Sequence, residues 1–203
     1  MKEDYYNEER PLFHPYKLYL FLLLAGITAL FLATTGAYIY TRVQTNTPPI
    51  NVPFIFIFNT FILIGSSLTL RWANEAYKKD NTTNYKRALG ATVGLTLLFM
   101  AMQAVGWSML KAQGALLTSG PCAAYIYAAS ILHIIHIVGG LPFLIWFFIV
   151  AIKRMREPVS VLVYFSDPAK RLKLELLSSY WHFLDYLWIY LVSFFLISSF
   201  IVF

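Results

Sequence analysis

Five long apolar runs, separated by short polar connections, set the pattern of this chain. They predict helices over about 18–41, 52–73, 86–110, 122–152 and 176–202. A helix needs roughly 20 apolar residues to cross a hydrocarbon core, and all five runs reach that length. Backbone groups inside lipid must be satisfied within the protein, which favours helices for such runs. The expected fold is an all-α membrane protein, a bundle of five transmembrane helices. Residues 1–17 read as a tail along the inner surface, and residues 18–203 as one transmembrane domain. Thr47-Pro48-Pro49, Gly120-Pro121, Pro158 and Asp167-Pro168 mark the turns, because proline cannot continue a helix through its own nitrogen. The first run is a full span without a small-residue cleavage site, so it reads as an inserted helix rather than a signal peptide.

Composition agrees with the pattern. Hydrophobic residues make up 59% of the chain and charged residues 13%, where soluble domains carry about a quarter charged. The net charge of +6 could suggest a nucleic-acid partner, but its distribution says otherwise. Lys and Arg number three before the first helix, then one, five, one, six and none in successive connections. Fourteen of the sixteen therefore fall on one side, as the positive-inside rule requires, which places the N-terminus inside and the C-terminus outside. The basic excess then serves topology and anionic headgroups, and no nucleic-acid partner is expected. The single cysteine, Cys122, excludes an intrachain disulfide and reads as a small packing residue.

Few polar residues remain inside the spans. Asp185 is the one acid of ten clearly within a span, and His182 lies three positions before it, on the same helical face. An intramembrane carboxylate is costly and needs a partner. His133 and His136 also share a face, near the bilayer middle. Intramembrane histidines can hold haem, copper or iron, or simply hydrogen-bond a packed neighbour. A di-haem protein needs four axial ligands, while only three histidines lie in spans, so the structural reading is preferred. No phosphate loop, His-Glu-x-x-His motif or serine elbow is present. The expectation is a fixed polar cluster of His182 and Asp185 that orients helix 5 against helix 4, with a proton relay as the alternative. Asn59 should bond a neighbouring helix, and Gln103 reads as a structural hydrogen-bonder. Gly90 and Gly94 suit close helix approach. Gly139, Gly140 and Pro142 predict a local kink. Arg42 reads as a snorkelling cation at the outer interface beside Tyr38.

These residues resemble subunit III of the haem–copper terminal oxidases. Tyr180-Trp181-His182-Phe183-Leu184-Asp185-Tyr186-Leu187-Trp188 is similar to that family's Tyr-Trp-His-Phe-Val-Asp-x-x-Trp signature, with Glu175 in the expected place upstream. His133-Ile134-Ile135-His136-Ile137-Val138-Gly139-Gly140-Leu141 resembles its His-x-x-His-Val-x-Gly-Gly-Leu segment. Asn59-Thr60 leading to Ser66-Ser67, Ala37-Tyr38 through Arg42, and Gln103 with Trp107 also fit. The likeness covers about 17–203. Seven-helix members carry two further N-terminal helices, so this chain looks like the five-helix bacterial form. Gly26-Ile27 stand where the family has a Ser-Glu pair, and Gly106 where it has a glutamate after Gln103. Roles of those carboxylates are not carried over.

The resemblance implies an accessory subunit with no catalytic centre, haem or copper of its own. It would pack beside the catalytic subunit I, which holds haem and copper, and bind structural phospholipid. It would also support proton uptake and stability while oxygen is reduced to water. His133, His136, Glu175, Tyr180, Trp181, His182, Asp185, Gln103, Asn59 and Arg42 are the candidate structural, lipid or subunit contacts. The bacterial inner (plasma) membrane is the implied location, with the mitochondrial inner membrane as the alternative. Competing functions are an accessory subunit of a nitric oxide reductase, a stand-alone haem-binding membrane protein and a small transporter. Against the transporter, no inverted repeat is visible.

Overall fold

The structure is a computed structural model that describes residues 15–47, 50–155, 161 and 164–200. Residues 1–14 of the tail, Pro48-Pro49 and Pro158 lie outside the described residues, while residues 15–17 already belong to the first helix. Five helices account for nearly all of the rest: α1 (Pro15–Thr45), α2 (Phe54–Lys78), α3 (Thr82–Ala112), α4 (Pro121–Arg154) and α5 (Pro168–Phe200). All five are long and apolar enough to cross a membrane. No strand occurs among the described residues.

Helix starts follow local chemistry. Proline opens α1, α4 and α5, where its missing N–H would lack a partner anyway. Asn81 caps α3 by accepting from the Asn84 N–H at 3.0 Å, and Asp80 turns the chain with φ of 52°, a conformation that Asp tolerates. The helices run past the apolar stretches. α5 starts at Pro168 rather than near 176 because its first turns are amphipathic. Arg171 pairs with Glu175 at 3.1 Å, while Leu174 is buried. α4 continues through Pro142 without a break in the helix.

Helices α2, α3, α4 and α5 close into a ring, with α2 on α3 and α5, and α4 on α3 and α5. α1 lies outside the ring against α4 and α5, burying the stripe Ile27, Phe31, Thr35, Tyr38 and Arg42. That spacing of three and four is one helix face. The ends of the ring differ in charge. One carries the α2–α3 and α4–α5 connections with most of the cations (the basic end); the other carries the α1–α2 and α3–α4 connections (the neutral end). Each half has its own core, built on Phe56, Phe99, Trp188 and Leu191 toward the neutral end. The basic half uses Leu70, Tyr85, Leu144 and Trp181.

Gly140 and Gly90, like Gly106 against Ile55 and Phe56, let helices approach. A Cβ on Gly140 would fall 2.7 Å from the Tyr180 ring and 3.1 Å from Trp181, and one on Gly90 would fall 3.0 Å from Phe148. Gly94, expected to join Gly90 in close approach, has nothing within 4 Å of a Cβ. The small-residue step is therefore used at one position only. Gly140→Val should push Tyr180 off α4 and cost about 1–3 kcal/mol by overpacking. Thermal unfolding in detergent would read this as a lowered midpoint; Gly94→Ala, with open space, should leave the midpoint unchanged.

Candidate functional site: a polar seam inside the helix ring

The residues singled out by sequence fall into three groups along the ring. In the basic half, Ser67 of α2 hydrogen-bonds His182 Nδ1 at 2.7 Å. Asp185 Oδ2 lies 3.9 Å from that nitrogen, beyond hydrogen-bond length. One further turn toward the basic end, Asn74 donates to Ser178 at 2.7 Å. The cluster thus holds α5 against α2, not against α4 as the sequence suggested. The reason is rotational. At 100° per residue, positions 182 and 185 face α2, while 180 and 184 face α4. Tyr180 Oη donates to the His136 carbonyl at 2.8 Å, and His133 Nε2 donates to the Leu184 carbonyl at 3.1 Å. Trp181 is buried against Gly140. Glu175 stays at the surface with Arg171 and does not join the cluster.

In the middle, hydroxyls tie α2 to α3, with Thr69 and Thr92 2.9 Å apart and Ser66 and Thr96 3.5 Å apart. Toward the neutral end, Asn59 Nδ2 donates to Gln103 Oε1 at 3.0 Å, as expected of an interhelical asparagine. Both side chains are fully buried. Trp107 Nε1 donates to Ser130 at 2.9 Å, joining α3 to α4.

The two α4 histidines diverge despite their shared spacing. His133 is enclosed by Phe99 and Trp188, with ring centroids at 5.8 and 5.0 Å. His136 turns toward α1, 5.8 Å from the Phe31 ring, and its Nδ1 donates to the Leu132 carbonyl at 2.7 Å. Each imidazole already serves a backbone carbonyl. Among the described residues no three His, Cys, Asp or Glu side chains gather closely enough to hold a metal ion.

Arg42 differs from the sequence expectation. It does not reach out to the interface but is buried, 3% exposed. Its Nη1 donates to the Ser198 carbonyl at 2.5 Å and to the Ser198 hydroxyl at 2.7 Å, and that hydroxyl donates to Tyr38 Oη at 3.1 Å. Carbonyls in the last turn of a helix lack intrahelical partners and sit at its negative end, so a guanidinium belongs there. Thr35 and Tyr190, 2.8 Å apart, make a second tie between α1 and α5. Ser67 and Ser198 were not singled out as sites by sequence. One serine among many in a span carries no signal until the helix facing it is known.

A bundle of five helices, each long and apolar enough to cross a membrane, with polar residues that bind its own helices together, is the class this geometry defines. The family model described as cytochrome c oxidase subunit III matches residues 28–199, and the chain belongs to that family. Its relatives include a probable cytochrome c oxidase subunit 3 of Rickettsia bellii (strain RML369-C), 30% identical over 146 residues, which are 72% of this chain and 48% of that one. The Rickettsia felis (strain ATCC VR-1525 / URRWXCal2) protein of the same description is 32% identical over the same shares. Cytochrome c oxidase subunit 3 of Branchiostoma lanceolatum is 27% identical over 175 residues, 85% of this chain and 62% of that one. The chain spans about half the length of the Rickettsia relatives it matches.

Two outcomes follow from the site geometry. Arg42→Gln removes the charge-assisted bonds to Ser198 and should lower stability by about 1.5–3 kcal/mol, read as a lowered unfolding midpoint in lipid nanodiscs. At the membrane surface before α5, Asp167 pairs with Lys170 at 3.1 Å and accepts from the Ala169 N–H at 2.9 Å. The Lys170 bond, and secondarily those backbone N–H groups, hold its carboxyl below the usual carboxylate range. A lowered pKa stabilises the folded state above the unfolded value, and that stabilisation disappears as pH falls through the folded one. Lys170→Met should therefore move the Asp167 titration, followed by NMR, up toward that of a free aspartate.

Proposed function

We propose that this chain is a non-catalytic accessory subunit of a respiratory haem–copper oxidase in the bacterial inner (plasma) membrane. The N-terminus lies inside and the C-terminus outside, as the distribution of Lys and Arg supports. Its partners are the catalytic subunit I, which carries haem and copper, and structural phospholipid. Its contribution is to the stability and proton uptake of that subunit while oxygen is reduced to water in aerobic electron transport. The observation that carries this reading is the family match across 28–199. The geometry supports the same reading. His133, His136, His182, Asn59, Gln103 and Arg42 all bond other parts of this chain. That is what a subunit needs if its task is to hold shape beside a catalytic partner. Apolar residues along the outside of α1, among them Phe21, Leu22 and Leu32, are left for lipid or partner.

Purification in mild detergent through a tag on this chain should bring down a haem-bearing oxidase. Recovery as a colourless monomer, from membranes with active oxidase, would contradict the proposal. Asp185→Ala or His182→Ala should weaken association or prolonged turnover more than the initial rate of oxygen consumption. An immediate and complete loss of electron transfer in an intact complex would instead indicate direct chemistry at this cluster.

A further inference from the structure

Each of the four ring helices brings one polar side-chain atom without a hydrogen-bond partner into the interior, toward the neutral end. Asn59 of α2 and Gln103 of α3 share a single hydrogen bond, leaving Asn59 Oδ1 and Gln103 Nε2 unmet. His133 of α4 uses Nε2 as a donor to a carbonyl, so Nδ1 carries a lone pair, also unmet. Trp188 of α5 has an unmet indole N–H. None of the four side chains is more than 1% exposed.

The packing puts these residues at one level. α2 runs away from the neutral end and α3 runs toward it, so Phe56 stands on the neutral side of Asn59 and Phe99 on the basic side of Gln103. Both phenyl rings pack on Trp188, with centroids at 5.9 and 5.1 Å. The indole therefore spans the level of the Asn59–Gln103 pair, with the His133 ring 5.0 Å away. An apolar cavity of about 10 Å³ lies toward the neutral end of this layer, and of the four side chains only Trp188 borders it.

The unmet atoms are two donor nitrogens, Gln103 Nε2 and Trp188 Nε1, and two acceptors, Asn59 Oδ1 and His133 Nδ1. Turning both amides over changes which side chain gives and which accepts but leaves the count the same. Unmet polar atoms are costly wherever bulk water cannot reach them. A single water offers two donors and two acceptors, enough to give each of these four atoms one bond. We propose that Asn59, Gln103, His133 and Trp188 form a buried site for an ordered water molecule that joins α2, α3, α4 and α5. The site is separate from the Ser67–His182–Asp185 cluster and stands on packing and hydrogen-bond accounting, not on the proposed function.

The test is water-edited solid-state NMR on the full chain in lipid bilayers, with ¹⁵N-labelled tryptophan and histidine. The Trp188 indole signal is assigned by its loss in Trp188→Phe. Magnetisation should pass from water to the Trp188 indole N–H, and the His133 Nδ1 shift should be that of a hydrogen-bonded acceptor. In the double variant Asn59→Leu, Gln103→Leu the transfer to Trp188 should be lost. No transfer in the unaltered chain, or a direct contact of the indole N–H with a protein acceptor, would overturn the proposal. So would transfer undiminished in the double variant. The measurement on the unaltered chain decides the matter if the double variant does not fold.

Discussion

A polar group within a bilayer has no bulk water to turn to, so another part of the protein must meet it. The arrangement of this chain follows from that constraint. Hydrophobic burial cannot draw helices together in lipid as it does in water, because lipid tails are as apolar as leucine. What distinguishes the right helix neighbour is close packing and hydrogen bonding. α2 and α5 meet through Ser67 with His182 and Asn74 with Ser178. α2 and α3 meet through Asn59 with Gln103 and Thr69 with Thr92. α4 and α5 meet through imidazole and phenol groups on backbone carbonyls. Each interface in the ring also has an aromatic or glycine contact that fixes its distance.

Not every polar residue of the family signature does the same work. Tyr180, Trp181 and Leu184 turn to α4, whereas His182 and Asp185 turn to α2. The signature is contiguous in sequence but splits between two interfaces. One short segment of α5 thereby sets the position of two neighbours at once. That dual geometry gives a physical reason for a dense polar and aromatic string in a helix that needs only apolar residues to cross a membrane.

The five spans were legible because runs of this length admit few conformations in lipid, and the His182–Asp185 pair because a lone carboxylate in an apolar run stands out. The neighbour of that pair was not legible. It depends on the rotation of α5 about its own axis, which is set by Tyr180 and Trp181 against Gly140, a contact between residues 40 positions apart. Arg42 was misjudged for a related reason. A cation near a helix end reads as snorkelling unless the opposite helix is known to end beside it, and here Ser198 does. The divergence of His133 and His136 likewise follows from which helix lies on either side of α4, information that a spacing of three does not contain.

Arg42 and Ser198 are separated by 156 positions, and this has a bearing on how the chain is made. α1 is made well before the helix end that receives its guanidinium. At about 5–20 residues per second, the cation waits roughly 8–30 s for its partner. α4 is made within that interval and can cover its side of α1, while the α5 side stays open until the end of it. Closure of this five-helix bundle is therefore gated by α5, and a chain that stalls before it would leave α1 in the membrane without the α5 carbonyl that receives its guanidinium.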